Sequence, residues 1–192
     1  MIRIGVVGDI GSGKSYVAKQ FGYPVFNADA EVSKLYKNNK KCYFKLKKAL
    51  PGYINSFPVE KNKLSQAVLS NKNNLKKINK IVHPLVRKKM KIFFKKNKNK
   101  KIVILDIPLF IENKMGKKND IIVFVDAKKK EIYKRLSKRS NFNPKIVKKF
   151  KKLQLSVEIK KRKSDFIVKN NFRNNSVKKD AKIIIKKILL DA

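Results

Sequence analysis

Cys42 is the only cysteine in the 192 residues and His83 the only histidine. One thiol forms no intrachain disulfide, and one thiol with one imidazole builds no zinc cluster. Cys42 therefore reads as a small buried residue without chemistry. No apolar run approaches the roughly 18 residues that a bilayer span requires. The chain opens on a strand and a loop rather than on a signal peptide, so the expectation is a soluble, cytoplasmic protein without a membrane partner. Acidic residues are scarce as well: 13 Asp and Glu stand against 51 Lys and Arg, a net charge of +38. Arginine is scarcer still, at six of those 51. A site that reads nucleic-acid phosphates and base edges favours the planar fork of Arg. The excess charge thus reads as a lysine-biased surface. It attracts polyanions and adheres to nucleic acid in a salt-sensitive way, with no specific nucleic-acid partner.

Glycine is the next scarcity, and its placement is informative. Four of the seven glycines (Gly5, Gly8, Gly11, Gly13) fall within nine residues. Residues 8–15 read GDIGSGKS, a complete phosphate-binding loop, and follow directly on the apolar run 4–7. A buried strand delivers such a loop and a helix leaves it, so that backbone N–H groups converge on a phosphate. Both flanks are present, with Val17, Ala18 and Phe21 at helical spacing behind Lys14. The candidate triphosphate contacts are Gly8, Gly11, Ser12, Gly13, Lys14, Ser15 and Tyr16. Lys14 is expected to reach the β- and γ-phosphates, and the Ser15 hydroxyl to ligate Mg²⁺.

Further apolar runs at 25–26, 101–106, 121–125 and 165–168 complete a set of five strands. They are continuous rather than alternating, and helical stretches separate them, which predicts a parallel sheet covered on both faces. Two of the runs end in Asp106 and Asp126, at the edge where such a sheet forms its ligand crevice. Between the second and third strands, Leu64, Val68, Leu75, Ile78, Val82 and Val86 keep helical spacing, which predicts a helix-rich insertion over 30–98. From 128 to 163 the chain is helical and very basic, a candidate lid over about 136–160. A last helix spans 177–190.

Single residues leave alternatives open. Asp29 is either the N-cap of a helix beginning at Ala30 or a general base or metal-proximal carboxylate facing the loop. Pro84 is expected to push His83 out of the α region, leaving it a helix-entry residue or a side chain presented to a substrate. Asp106 is either a Mg²⁺-proximal carboxylate or an ordinary strand end. Arg135 and Arg139 lie four apart, and Arg139 is the candidate for phosphate or adenine contact. No guanine-reading motif is present, since 117–120 reads KKND, which speaks against a regulatory GTPase.

The order of these motifs resembles the dephospho-CoA kinase family, from the N-terminus to about residue 171. The series is GDIGSGKS, then Ala28-Asp29, His83-Pro84, DIPLFIE over 106–112, RLxxR over 135–139, Gln154, and DFIVKN over 165–170. The resemblance implies one three-layer α/β P-loop kinase domain with a five-stranded parallel sheet, a helical CoA-binding insertion and a lid. It also implies transfer of the ATP γ-phosphoryl to the ribose 3′-hydroxyl of dephospho-CoA, with Mg²⁺ as cofactor. By position, Asp29 is then the catalytic base. Arg139 is the lid arginine, and His83, Arg87, Pro108, Leu109 and Glu112 belong with Asp29 to the acceptor site. The chain departs from the family pattern at Asn27 (usually Asp), at Ser33 (usually Arg), and at Lys61, Lys149 and Lys160 (often Arg). Another small-molecule kinase of the same fold, or a nucleic-acid-binding ATPase, would share the loop but not this order.

Overall fold

The computed structural model describes residues 1–139 and 142–190. These fall into two compact units, one from Met1–Asn27 together with the chain from Asn97 onward, the other Ala28–Lys96.

The first unit is built on a five-stranded sheet: β1 (Ile2–Gly8), β2 (Val25–Asn27), β3 (Ile102–Asp106), β4 (Ile121–Asp126) and β5 (Phe166–Lys169). Every pairing is parallel, in the order β2-β3-β1-β4-β5. The chain steps from β1 to β2, returns to β3 and then crosses over β1 to β4. The carboxyl end of β1 is therefore the point where the winding reverses and a crevice opens. All five residues of β3 are buried. That is why these strands read as unbroken Val/Ile/Leu runs: neither face meets water. One face packs on helices α1 (Lys14–Gln20) and α9 (Asn174–Leu190), where Ile4, Val6, Ile104, Val123 and Val125 meet Val17, Ala18, Phe21, Val177, Ala181 and Ile184. On the opposite face Gly5 leaves room for packing, because a Cβ there would stand 2.6 Å from the buried Phe110 ring.

Three further helices follow β4: α6 (Lys129–Ser137), α7 (Pro144–Lys151) and α8 (Val157–Arg162). Asn143 caps α7 by accepting from the N–H groups of Lys145 and Ile146, with Pro144 at the first helical position, where its missing N–H is harmless. Ser140 and Asn141, inside the expected lid, lie outside the described residues. At the amino end of the sheet, a half-buried ion pair joins Arg3 to Asp120 at 2.9 Å, giving the aspartate of the KKND stretch a structural partner.

The second unit holds four helices and no strand among its described residues, α2 (Ala28–Asn38), α3 (Lys40–Ala49), α4 (Lys61–Ser70) and α5 (Lys72–Lys96), with turns over 50–60 between α3 and α4. Its core gathers Leu35, Cys42, Leu46, Ile54, Leu64, Ala67, Ile78 and Val82. Cys42 is fully buried and free, and its N–H is capped by Asn39 at 2.7 Å. Between α4 and α5, Asn71 takes extended geometry, and the buried Asn74 amide donates back to the Ala67 carbonyl.

Two expectations are corrected here. Pro84 does not break the helix or move His83 out of it, since α5 runs unbroken through both. Ile78 and Val82 hold the buried side of α5, whereas Pro84 is exposed, so the carbonyl its missing N–H leaves unmatched faces solvent. Asp29 is not an N-cap. Helix α2 already begins at Ala28, and Asp29 stands inside its first turn, where a carboxylate is favoured by the helix dipole. Among the described residues, no helix is long and apolar enough to cross a membrane.

Candidate active site

The loop 8–15 connects β1 to α1 by a backbone that only glycine adopts easily. Gly8, Gly11 and Gly13 have φ of +149°, +84° and +90°. At Gly13 two constraints coincide: left-handed backbone, and a side chain there would collide with the Asn170 amide. That amide donates to the Ser12 carbonyl at 2.9 Å, while its oxygen accepts the Phe172 N–H at 3.0 Å. The turn after β5 thus clamps the loop from behind. Gly11 lies under α6, against Leu136 and Ile132. Ser12 is fully buried, and its hydroxyl has no hydrogen-bond partner among the described residues.

The ammonium of Lys14 arches back over the loop, donating to the carbonyls of Gly8 at 3.1 Å and Asp9 at 2.8 Å. A cation that donates to neutral carbonyls can exchange them for phosphate oxygens, with which it forms stronger, charge-assisted hydrogen bonds. At the carboxyl ends of the neighbouring strands, the Asn27 amide donates both to Ser15 Oγ at 3.3 Å and to Asp106 Oδ2. Asn27 and Asp106 are register partners across β2 and β3, and Asp106 is buried. Asp106 is thus linked through the Asn27 amide to Ser15. One hydroxyl and one carboxylate suit Mg²⁺, a hard cation that keeps waters and phosphate oxygens as its other ligands. Among the described residues there is no group of three His, Cys, Asp or Glu able to hold a metal by protein ligands alone.

A small recess of about 10 Å³ opens beside the loop, lined among others by Gly8, Lys14, Leu109, Glu112, Gln154 and Lys160. Leu109 enters it from the turn after β3 with φ +56°, an unfavourable backbone for a branched side chain. Glu112 is held by accepting the Leu155 N–H at 3.0 Å. Pro108 is exposed in the same turn and is not among the lining residues. Tyr16 packs against the sheet core from the first turn of α1. Arg139 is exposed one residue beyond the C-cap of α6, whereas Arg135 lies over the Phe172 ring at 4.5 Å.

Within the helical unit, Asp29 shares a face of α2 with Tyr36. Burial pushes the Tyr36 phenol well above its usual range, and the charges of Cys42 and Asp29 add to the effect. One turn after Asp29, the Ser33 hydroxyl donates to the Asp29 carbonyl and accepts from Lys61 Nζ at 2.9 Å. The turn that lacks an arginine at position 33 therefore still carries a cation. His83 and Arg87 stand one turn apart on the exposed face of α5. Crowding of the His83 ring lowers its pKa from the ordinary imidazole value, and the Arg87 charge adds to this.

Sequence reasoning did not find the partnership of Asp9 with Lys160, the stacking of Arg135 on Phe172, or the Asn170 clamp. The first and the last carried a signal, since a carboxylate inside a phosphate-binding loop requires a compensating cation and Asn170 closes the DFIVKN stretch.

Comparison with known proteins now adds to this geometry. The family model CoaE, dephospho-CoA kinase, matches residues 2–176. A dephospho-CoA kinase of Wolbachia pipientis is 33% identical, with 98% of each chain covered. Among solved structures, TT1252 from Thermus thermophilus superposes with a TM-score of 0.74 at 27% identity, covering 99% of this chain and 97% of that one. A dephospho-CoA kinase from Campylobacter jejuni gives a TM-score of 0.63 at 22% identity, covering 97% and 96%, a likeness of fold.

Proposed function

The chain belongs to the dephospho-CoA kinase family, and we propose that its two units divide the reaction, the loop 8–15 holding ATP and the helical unit receiving the acceptor. The reaction is phosphoryl transfer from ATP to the ribose 3′-hydroxyl of dephospho-CoA, giving coenzyme A and ADP. The observation that carries this reading is the geometry around β1, with three positive-φ glycines, Lys14 lying across the loop and Ser15 joined through Asn27 to Asp106.

Phosphoryl transfer asks a protein for positioning and charge stabilisation rather than covalent chemistry. The loop N–H groups surround the phosphates, and Lys14 exchanges its two carbonyl contacts for β- and γ-phosphate oxygens. Ser15 and Asp106 would hold Mg²⁺, which would supply neutralisation of the phosphate charge. Asp29, two residues past β2, orients the acceptor hydroxyl and takes its proton. His83, Arg87, Leu109 and Glu112 contribute to acceptor binding. Arg139 and the basic segment around it exclude water, which would otherwise compete as acceptor.

The test is ADP release in a coupled assay with dephospho-CoA, nucleoside monophosphates, shikimate and RNA offered separately. Turnover with dephospho-CoA at least about a hundredfold above the others is expected. Turnover stimulated by RNA without any small acceptor contradicts the reading, and preference for another small acceptor corrects its substrate.

A further inference from the structure

Lys160 is 2% exposed, one of the largest fully buried side chains, in a chain whose other lysines are overwhelmingly at the surface. Its ammonium lies 2.6 Å from Asp9 Oδ1, 151 residues away in sequence. Asp9 is the second residue of the phosphate-binding loop, and it is a node. Its side chain holds Lys160, while its carbonyl accepts from Lys14 Nζ at 2.8 Å and from the Ser12 N–H at 3.1 Å. Both lysines line the same recess, together with Gly8, Glu112 and Gln154. Lys160 sits on α8, whose Ser156 cap accepts the Ile159 N–H, and its own carbonyl accepts from Ser164 Oγ.

A carboxylate in this loop opposes the function of the loop. At a few ångströms in a partly buried setting, a negative charge repels the incoming triphosphate much more than it would in water. We propose that Lys160 is a positioning residue of the triphosphate site, with its ammonium cancelling the Asp9 carboxylate so that the loop presents net positive potential to ATP. This rests on the reading that the loop holds ATP. A buried pair of this kind is weak evidence for stability, because a neutral replacement of both partners is often tolerated, whereas removal of one partner exposes the other charge. Electrostatic compensation and mechanical bracing therefore predict different patterns.

The experiment measures ATP affinity by equilibrium titration, and steady-state kinetics with dephospho-CoA, for four full-length proteins. Lys160→Met leaves Asp9 uncompensated. ATP affinity is expected to fall about tenfold or more, with kcat at saturating ATP within about threefold of wild type. Asp9→Asn removes the repulsion and leaves a cation, so ATP affinity stays within about twofold of wild type or tightens. The neutral double variant recovers to within about threefold. Lys160→Arg keeps the charge and restores binding relative to Lys160→Met. A brace predicts instead that both single changes weaken ATP binding alike and that the double variant does not recover, and either result overturns the proposal. Urea midpoints accompany each protein. The double variant carries no unpaired buried charge and decides the question if a single variant fails to fold. Failure of the wild-type protein to bind ATP would count against the functional reading, whereas normal wild-type binding without the opposite signs would count against the Lys160 role alone.

Discussion

Around β1, the groups proposed to meet the triphosphate are held by partners distant in sequence. Asn170 clamps Ser12, Asn27 ties Ser15 to Asp106, and Asp9 is paired with Lys160. In Ala28–Lys96 the proposed acceptor residues are spaced along single helices. His83 and Arg87 stand one turn apart on α5, and Asp29 lies one turn from Ser33 on α2. A parallel sheet fixes several chain segments against one another in a single register, so a cluster at its carboxyl edge is rigid from several sides. A helix face sets spacing along one element only. The donor end is therefore expected to suffer from small steric changes, and the acceptor end from loss of particular side chains.

The largest expected effect is at the donor end. Lys14→Met removes the only loop cation proposed to touch the transferred phosphoryl and should lower kcat/KM for ATP by roughly 10³-fold or more, read by ADP release. Equal losses from Lys14→Met and from any exposed lysine on α5 would erase the contrast between the two units. Next is Asp29→Asn, expected to lower kcat by about 10²–10³-fold while ATP affinity stays within about twofold. Near-normal turnover of that variant removes Asp29 as the base. Gly13→Ala combines left-handed backbone with a collision against Asn170. It should cost about 2–3 kcal/mol in urea unfolding and weaken ATP binding with it. The same change at Gly52, where a Cβ meets nothing within 4 Å, should be nearly silent, and comparable losses at both sites would contradict the rigid-loop account.

The legible part of the molecule was the part written in contiguous letters. GDIGSGKS and the five apolar runs announced the loop and the sheet because each is a local pattern with one physical solution, a buried strand feeding a glycine turn. Asp106 stayed ambiguous because its role depends on Asn27 lying across β2 and β3, a matter of register. The pairing of Asp9 with Lys160 was half legible, since a carboxylate in the loop calls for a cation but no local pattern says which of the 45 lysines supplies it. Pro84 misled for a related reason. A local rule about the residue before proline was outweighed by the tertiary packing of the α5 turns that lead into it, through Ile78 and Val82.

Smaller effects sharpen the acceptor side. Arg87→Ala should raise KM for dephospho-CoA about five- to tenfold and leave ATP binding unchanged. An effect on ATP instead would move Arg87 to the donor end. The smallest effect is on stability as a function of pH. The folded His83 pKa lies below the ordinary value near 6.5, so between the two the unfolded chain binds more protons. Stability should then decline slightly as pH falls through 6.5 toward the lowered pKa, and His83→Gln should flatten that slope in urea titrations. An unchanged slope would mean that the ring is not desolvated.

The division of labour between the two units stands or falls on where the phosphoryl group goes. Phosphorus NMR of a reaction containing the wild-type protein, ATP, Mg²⁺ and dephospho-CoA reads that directly. The account predicts a new ribose 3′-phosphomonoester appearing in step with ADP, and little free phosphate. ADP accompanied by inorganic phosphate, with the acceptor unmodified, would contradict it.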